Sequence, residues 1–266
     1  MSHISYSQLK DWVKCPFYHK LVHLDGHKLF TGNEYTAFGT AIHSTCEKVI
    51  VEKKVHESHN IDEAAYFMKC FKEETNKLAK GSFNESMIKS MEEQGCKLAP
   101  LAIPALGRYF KEYELVSVEE KLMVPIAGRN YDFKGFIDLV IKTKDGKYHI
   151  IDWKTCSWGW DARKKSDKMI AYQLTLYKHY FCKKHNISPK KVETYFALLK
   201  RVAKKNHVEM VRITSGKIKT KNAINLVDKA VYNIESKNFI KNKMACRMCE
   251  FYGDKSKLCP QGVKSE

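Results

Sequence analysis

Two aspartates and a lysine within Gly135 to Thr155 are the residues of this chain best suited to chemistry. Asp138 interrupts an apolar run, and Asp152 directly follows two isoleucines, so each carboxylate belongs to a segment typical of a buried strand. A buried carboxylate is costly without a partner, because its charge loses hydration. With Lys154 nearby, the pattern predicts either a hard divalent cation held by oxygen ligands or a structural salt bridge between the lysine and one aspartate.

A β-hairpin is the element that must position these groups. Asp145-Gly146, between two apolar runs, is a strong signal for a tight hairpin turn. Side chains alternate along a strand, so Asp152 and Lys154 share one face and Trp153 points to the other. The hairpin therefore predicts that the charged groups meet on one face of a sheet.

The rest of the chain predicts a mixed α/β fold. A helix begins near residue 5 and ends at Cys15-Pro16, and the pattern over 61–113 is helical with breaks near Gly81 and between Gly95 and Pro104. The further predicted helices span 34–55, 166–184 and 219–238, and the predicted strands span 115–126, 131–143, 147–153, 192–200 and 208–213. The strand-helix-strand order over 147–200 indicates a parallel strand pair.

The charge balance favours a polyanionic partner. Lysine and arginine number 47 against 30 aspartates and glutamates, a net charge of +17. Basic surfaces bind nucleic acid by releasing counterions from phosphates, although lysine-rich codon usage is the alternative source of this excess. We expect Lys200, Arg201, Lys204 and Lys205 to contact the nucleic acid. No apolar run reaches the about 18 residues of a membrane span, and no hydrophobic leader begins the sequence, so we expect a soluble, cytoplasmic protein without membrane contacts.

The cysteines indicate a metal site. In a reducing compartment, nine cysteines are more often free thiols or metal ligands than disulfides. Cys246 and Cys249 form a C-x-x-C motif, Cys259 follows, and Cys15 near the other end of the chain is the candidate fourth ligand. A four-thiolate site suits zinc, and it equally suits an iron-sulfur cluster.

Several of these motifs resemble one enzyme family. G-F-I-D ending at Asp138, then 13 residues, then D-W-K beginning at Asp152 resembles the core of the PD-(D/E)XK nuclease superfamily. F-G-T-A-I-H, ending at His43, resembles the G-x-x-x-H motif of its RecB-like exonuclease branch. Gln173 and Tyr177 resemble the Q-x-x-x-Y motif of that branch. One early cysteine with three late ones is similar to the iron-sulfur members, such as CRISPR-associated RecB-like and AddB-type nucleases.

The resemblance implies a fold and a domain plan. The fold would be a restriction-endonuclease-like mixed β-sheet flanked by helices, with a helical insertion and a C-terminal cysteine segment. It would form a single nuclease domain over 1–266. Residues 1–114 would be its helical N-terminal part, 115–240 its nuclease core and 241–266 its iron-sulfur segment.

The resemblance also implies roles for individual residues. Lys154 would orient the attacking water or stabilise the transition state, while Gln173 and Tyr177 would position the substrate backbone. Mg²⁺ or Mn²⁺ would be bound by His43, Asp138, Asp152 and the main-chain carbonyl of Trp153. A [4Fe-4S] cluster, with zinc as the alternative, would be bound by Cys15, Cys246, Cys249 and Cys259.

The function implied is that of a metal-dependent DNA exonuclease. It would act on DNA with single-stranded ends in repair, recombination, or viral or CRISPR DNA processing, with protein partners in a repair, replication or CRISPR complex, and a virus could encode it. A catalytically silent DNA-binding subunit with a structural metal cluster is the alternative. An RNA-binding module would require stacking aromatic residues on an exposed sheet, and the sequence shows no such pattern.

Overall fold

The computed structural model describes residues 2–56, 60–79, 81–253 and 258–259. Its strands are β1 (Ser2–Ser5), β2 (Tyr113–Pro125), β3 (Tyr131–Thr143), β4 (Tyr148–Cys156), β5 (Val192–Lys200) and β6 (Val208–Ile213). Its helices are α1 (Tyr6–Lys14), α2 (Pro16–His19), α3 (Glu34–His56), α4 (Glu63–Thr75), α5 (Glu85–Phe110), α6 (Ala162–Lys165), α7 (Lys168–His185) and α8 (Lys217–Glu235). Strand β1 and the short helix α6 were not predicted from the sequence, whereas β5 and β6 have the predicted bounds.

The strands form one six-stranded mixed sheet in the order β1-β3-β4-β5-β6, with β2 also paired to β3. Strands β3 and β4 are an antiparallel hairpin, β4 and β5 are parallel, and β5 and β6 are antiparallel. The parallel pair is joined by α7, as the strand-helix-strand pattern predicted. The predicted mixed sheet flanked by helices is therefore confirmed.

The chain divides into two compact units, each built from separate segments. Unit 1 comprises residues 1–31, 123–134 and 221–266, and unit 2 comprises residues 32–122 and 135–220. All predicted active-site residues belong to unit 2, and all four predicted cluster cysteines belong to unit 1. The single domain over 1–266 stays a prediction.

The core of unit 2 lies between one face of the sheet and helices α3, α4 and α5. Phe38, Phe67 and Phe71 form a cluster of aromatic rings with centroids 5.3–5.9 Å apart. From the sheet, Leu139 and Trp153 are buried in the same core. The close packing of these residues fixes the orientation of the hairpin against α3.

Helix α5 runs unbroken from Glu85 to Phe110, so the predicted break between Gly95 and Pro104 is wrong. Gly95 is a packing position, because a Cβ there would lie 2.0 Å from the ring of Phe67. Pro100 and Pro104 lie on the less buried side, where water can bind the carbonyls that the prolines leave without a partner. Burial of the opposite apolar face, which includes Leu98, outweighs the cost of two prolines.

The ends of two other helices agree with the sequence. Ser5 caps α1 through a capping box with Gln8, and α1 ends where Cys15 becomes extended and Pro16 begins α2. Helix α7 begins after Asp167, whose side chain accepts hydrogen bonds from two backbone amides of the first turn. Among the described residues, none of the helices combines the length and the apolar character needed to cross a bilayer.

Candidate active site and cysteine cavity

The hairpin of β3 and β4 brings the two carboxylates together. The ladder between the strands starts at Leu139 and Ile151, and one further step of this register sets Asp138 opposite Asp152. There, Asp138 Oδ2 accepts a hydrogen bond from the backbone N–H of Trp153 at 2.7 Å. The Asp138 side chain thus binds the backbone of the neighbouring strand directly beside Asp152.

Asp152 is almost completely enclosed, with 2% of its surface exposed. Its Oδ1 accepts a hydrogen bond from Gln173 Nε2 at 2.7 Å. Its Oδ2 forms an ion pair with Lys154 Nζ. The ion pair confirms that Asp152 and Lys154 share a face, while Trp153 points into the helical core.

His43 reaches this site from α3. Its Nδ1 lies 3.4 Å from Asp138 Oδ2, and it also forms a hydrogen bond with the backbone of Trp153. Burial lowers the pKa of His43, and the charge of Lys154 lowers it further, against the opposing effect of Asp152. The lowered pKa favours the neutral imidazole, which is the form that binds metals.

Asp152 and burial together make Asp138 harder to ionise. Burial, followed by repulsion from Asp152, raises the pKa of Asp138 well above its usual value, although Lys154 and the Trp153 N–H oppose the shift. Burial alone would lower the pKa of Lys154, but attraction to both aspartates raises it. One charged lysine thus faces two acids, and the site favours an additional positive charge.

Gln173 and Tyr177 lie one turn apart on α7. Gln173 is buried and donates to Asp152, as described above, while the Tyr177 hydroxyl forms a hydrogen bond with Gln173. Burial, with a further contribution from Asp152, raises the pKa of Tyr177. The structure therefore places Gln173 on a carboxylate, whereas the sequence resemblance implied a role in positioning the substrate backbone.

Glu119, on β2, is an acidic neighbour of the site. Its φ of 48° is in the left-handed region, which non-glycine residues in strands rarely adopt. Local burial raises the pKa of Glu119, and repulsion from Glu47 and Asp152 adds to the shift. The adjacent Glu120 instead pairs with Lys184. No feature of the sequence predicts the strained backbone at Glu119.

Two of the predicted nucleic-acid contacts face inward. Arg201 is buried and donates to Gln94 Oε1 at 2.6 Å and to Ser157 Oγ at 3.1 Å. Lys200 is also buried, with its Nζ 3.5 Å from Glu209 Oε2. Both cations have protein partners in this structure, and their predicted contact with nucleic acid stays a prediction.

Lys204 and Lys205 have the opposite environment. They lie in the turn between β5 and β6, and both are exposed. Within the part of the chain that the structure describes, neither has an ion-pair partner. Their predicted contact with nucleic acid stays a prediction.

The four cysteines of the predicted cluster line one cavity in unit 1. The cavity is partly open to solvent, and Cys15, Cys246, Cys249 and Cys259 all contribute to its wall. The Cys15 Sγ accepts a hydrogen bond from the Asn242 N–H at 3.3 Å. Burial raises the pKa of Cys249, and Cys259 and Cys15 add to the shift. Residues far apart in sequence thus meet around this cavity.

Protein contacts hold the two segments of this cavity together. Lys14 Nζ donates to the Met248 carbonyl at 2.9 Å, and the Tyr18 hydroxyl donates to Glu250 Oε1 at 2.8 Å. The ring of Tyr18 also packs edge-on against that of Phe251 at 5.8 Å. The cavity is therefore shaped by packing and by hydrogen bonds between distant segments.

Neither site shows a metal-binding arrangement among the described residues, where no three side chains of His, Cys, Asp or Glu are grouped closely enough to hold an ion. At the hairpin, the carboxylate oxygens are occupied by Lys154, Gln173 and the Trp153 amide. All nine cysteines are free thiols. The assignment of metal ligands stays a prediction at both sites.

Comparison with known proteins identifies the family. The sequence model of the PD-(D/E)XK nuclease superfamily matches residues 3–253. A solved structure from Eubacterium rectale, named "Putative exonuclease", has a TM-score of 0.56 at 14% identity, with 94% of this chain and 86% of that chain covered. A second structure, SSO0001, has a TM-score of 0.39 at 16% identity, with 94% and 96% covered. No curated protein matches the sequence significantly.

The sequence match and the fold agree with each other. The mixed sheet flanked by helices is that of the restriction-endonuclease-like fold, and the aspartates and lysine of the superfamily's motif meet on the hairpin. The matched residues span nearly the whole chain, from β1 to the cysteine cavity. The chain belongs to the PD-(D/E)XK nuclease superfamily.

Proposed function

We propose that this chain is a Mg²⁺- or Mn²⁺-dependent DNA exonuclease of the RecB-like branch. The observation that carries the proposal is the meeting of Asp138, Asp152 and Lys154 at the start of the β3–β4 ladder. Membership of the nuclease superfamily supports hydrolysis of a phosphodiester. The net charge of +17 supports a nucleic-acid substrate.

The residues at the hairpin fit a hard divalent cation. Two carboxylates lie side by side, and the pKa of Asp138 is raised by burial and by Asp152. Asp138, Asp152, the Trp153 carbonyl and neutral His43 would hold the ion. When bound, such an ion lowers the pKa of a coordinated water and neutralises charge on the scissile phosphate.

The chain's own groups supply the remaining parts of the mechanism. Lys154 stays charged because both aspartates raise its pKa, so its ammonium can stabilise the negative charge that develops on the phosphate. Gln173 fixes the orientation of Asp152 by donating to Oδ1. Tyr177 in turn holds Gln173. These buried contacts keep the acidic groups aligned before the substrate binds.

We propose that Cys15, Cys246, Cys249 and Cys259 hold a [4Fe-4S] cluster, with zinc as the alternative. The proposal is supported by the common cavity and by the donor set, which consists of four soft thiols. The cluster would serve as a structural staple between the two ends of the chain, within a single nuclease domain. It requires thiolates, which a reducing cytoplasm preserves. Iron, sulfide and zinc analysis of anaerobically purified protein distinguishes the two metals.

A cleavage assay tests the proposed activity. End-labelled single- and double-stranded DNA is incubated with the protein and either Mg²⁺, Mn²⁺ or a chelator. We expect mononucleotides or short products with metal, none with the chelator, and none from Lys154→Ala. Lys147→Ala is the matched control, because it removes a partly exposed lysine from the same hairpin. Full activity of Lys154→Ala would refute the proposed mechanism.

The second candidate is a catalytically silent DNA-binding subunit. It is favoured by one observation, namely that the carboxylate oxygens are bound by protein groups in the described structure. In the same assay, this candidate predicts DNA binding without any cleavage in Mg²⁺ or Mn²⁺. As an exonuclease, the protein would act in repair, recombination or replication, or in viral or CRISPR DNA processing, with partners from those complexes.

A further inference from the structure

The loop that follows β4 presents an exposed tryptophan. Of the four tryptophans of the chain, Trp153 and Trp160 are 3% and 8% exposed, whereas Trp158 is 69% exposed. Trp12 is only partly exposed. Within the part of the chain that the structure describes, the Trp158 side chain has no hydrogen bond and no ring contact. A large apolar ring is thus directed to solvent, although a neighbouring tryptophan in the same loop is buried.

Hydrogen bonds of Ser157 before the ring and the backbone conformation of Gly159 after it constrain the position of Trp158. The backbone N–H of Val202 donates to the Ser157 carbonyl at 3.1 Å, and the Arg201 guanidinium donates to Ser157 Oγ. Directly after Trp158, Gly159 has a φ of +124°, a conformation that other residues rarely adopt. The exposed position of Trp158 is therefore fixed by its neighbours and is not that of a loose loop.

The same loop is joined to the proposed catalytic lysine through packed rings. The ring of Trp160 lies 5.0 Å from that of Phe196, and Lys154 Nζ lies 5.6 Å from the Phe196 ring. Trp158 is only four residues after Lys154, which limits their Cα separation to about 14 Å. The exposed ring is therefore within a few nucleotides of the proposed cleavage site.

Exposed cations lie on α6 and at the start of α7, beside the capping carboxylates of Asp161 and Asp167. Arg163, Lys164 and Lys168 are exposed, and Lys164 Nζ lies 5.1 Å from the ring of Trp160. Arg163 and Lys168 have no ion-pair partner within the described residues. A phosphate backbone that passes this segment would meet cations without displacing existing ion pairs.

We propose that Trp158 is a stacking platform for an unpaired base of a single DNA strand that enters the active site. An aromatic face beside a basic groove binds single strands without sequence preference, because every base has a π-face. Bases within a duplex are already stacked on each other and do not expose that face at an internal step. The inference rests on the proposed function, and it adds a reason for that function to favour single-stranded ends.

Binding without metal tests the platform separately from catalysis. A short single-stranded DNA and its blunt duplex are titrated into wild type, Trp158→Ala and Trp158→Phe in a chelating buffer, and tryptophan fluorescence and anisotropy are recorded. For Trp158→Ala we expect about tenfold weaker single-strand binding, loss of most of the fluorescence quenching and little change with the duplex. Trp158→Phe should restore most of the affinity. Phe30→Ala, which removes another exposed aromatic ring, is the control and should bind as wild type.

The outcomes separate the platform from the proposed activity. In a cleavage assay with Mn²⁺, Trp158→Ala should raise KM for single-stranded DNA about tenfold and leave kcat close to that of the wild type. Unchanged single-strand affinity and KM in Trp158→Ala would overturn the platform, even if the wild type cleaves DNA. Equal weakening for single strand and duplex would also overturn it. A wild type that shows the Trp158-dependent binding but never cleaves would refute the nuclease proposal and leave the platform standing.

Discussion

The hairpin site of unit 2 and the cysteine cavity of unit 1 differ in how their functional groups are held. At the hairpin, strand pairing and buried hydrogen bonds fix each polar group, since Asp138 binds the Trp153 amide and Asp152 binds both Gln173 and Lys154. In the cavity, four thiols line a common wall, and the contacts of Cys15 and Cys246 with backbone groups are weak. The hairpin is thus preformed by the fold, whereas we expect the cysteine cavity to depend on a bound metal for its stability.

The largest effect on the hairpin side is expected from Asp138→Asn. Cleavage should fall at least about a hundredfold, because the variant loses one charged oxygen ligand. Folding should not suffer, because burial and Asp152 already disfavour the ionised form of Asp138 in the metal-free protein. Cleavage rates and chemical denaturation measure the two effects. If the variant lost activity only because it unfolds, the view that the fold holds the hairpin site without metal would be contradicted.

The corresponding change in the cavity is Cys249→Ser. We expect it to release the bound metal and to lower the unfolding temperature, because metal-binding free energy at a structural site contributes to folding. Cys70→Ser replaces a partly buried thiol outside the cavity and serves as the control. Metal analysis and calorimetry are the measurements. Equal stability of Cys249→Ser and wild type would show that the cavity, like the hairpin, is complete without metal.

Gln173→Ala tests whether the hydrogen bond from Gln173 is needed to hold Asp152 in its active orientation. Removing the amide leaves Asp152 Oδ1 without its donor, and loss of such a supporting hydrogen bond typically costs about 10–100-fold in metal affinity or activity. We expect a fall of this size in kcat, with little change in the affinity for DNA. Asn186→Ala, at the end of the same helix, controls for general effects on α7. A rise in KM alone would instead place Gln173 on the substrate.

The helical layer that supports the hairpin can be tested at two glycines of α5. Gly95→Ala places a Cβ 2.0 Å from the Phe67 ring, so we expect a loss of about 1–3 kcal/mol in the free energy of unfolding. At Gly107 a Cβ would contact nothing within 4 Å, so Gly107→Ala should stabilise by about 0.5–1 kcal/mol. Urea denaturation followed by circular dichroism gives both values. If both variants changed the free energy of unfolding in the same direction, the close packing of Gly95 against Phe67 would be contradicted.

The smallest effect is expected at Glu120, on the strand beside the hairpin. Burial would raise its pKa, but hydrogen bonds from Lys184 and His185 outweigh burial and lower it. A lowered pKa in the folded state means that ionised Glu120 stabilises the protein above its unfolded pKa of about 4.3, and that this contribution is lost as the pH falls through the lower folded value. Glu120→Gln should therefore cost about 0.5–1 kcal/mol at neutral pH and nothing in strong acid.

The sequence was most informative where local rules and burial agree. The Asp145-Gly146 turn and the alternating pattern around Asp152 predicted the hairpin, and the structure brings Asp152 and Lys154 together as expected. Local rules failed at Pro100 and Pro104, because tertiary burial of one face of α5 outweighs the helix-breaking tendency of proline.

Contacts between distant residues could not be read from the sequence. The inward orientation of Arg201 depends on Gln94, which lies on a helix far away along the chain. The hydrogen bond from Gln173 to Asp152 and the positive φ of Glu119 also depend on how separate elements pack. Spacing in the sequence indicated which residues were candidates for the site. Only the packed fold shows the hydrogen-bond partner of each.

The most direct test of the central claim is the dependence of DNA cleavage on Mn²⁺ concentration in wild type and in Asp152→Asn. We expect the wild-type rate on end-labelled single-stranded DNA to rise with Mn²⁺ and to saturate, because the hairpin carboxylates bind the ion that cleavage requires. Asp152→Asn should stay at the metal-free background at every concentration. An Asp152→Asn variant with the same Mn²⁺ response as wild type would contradict the account.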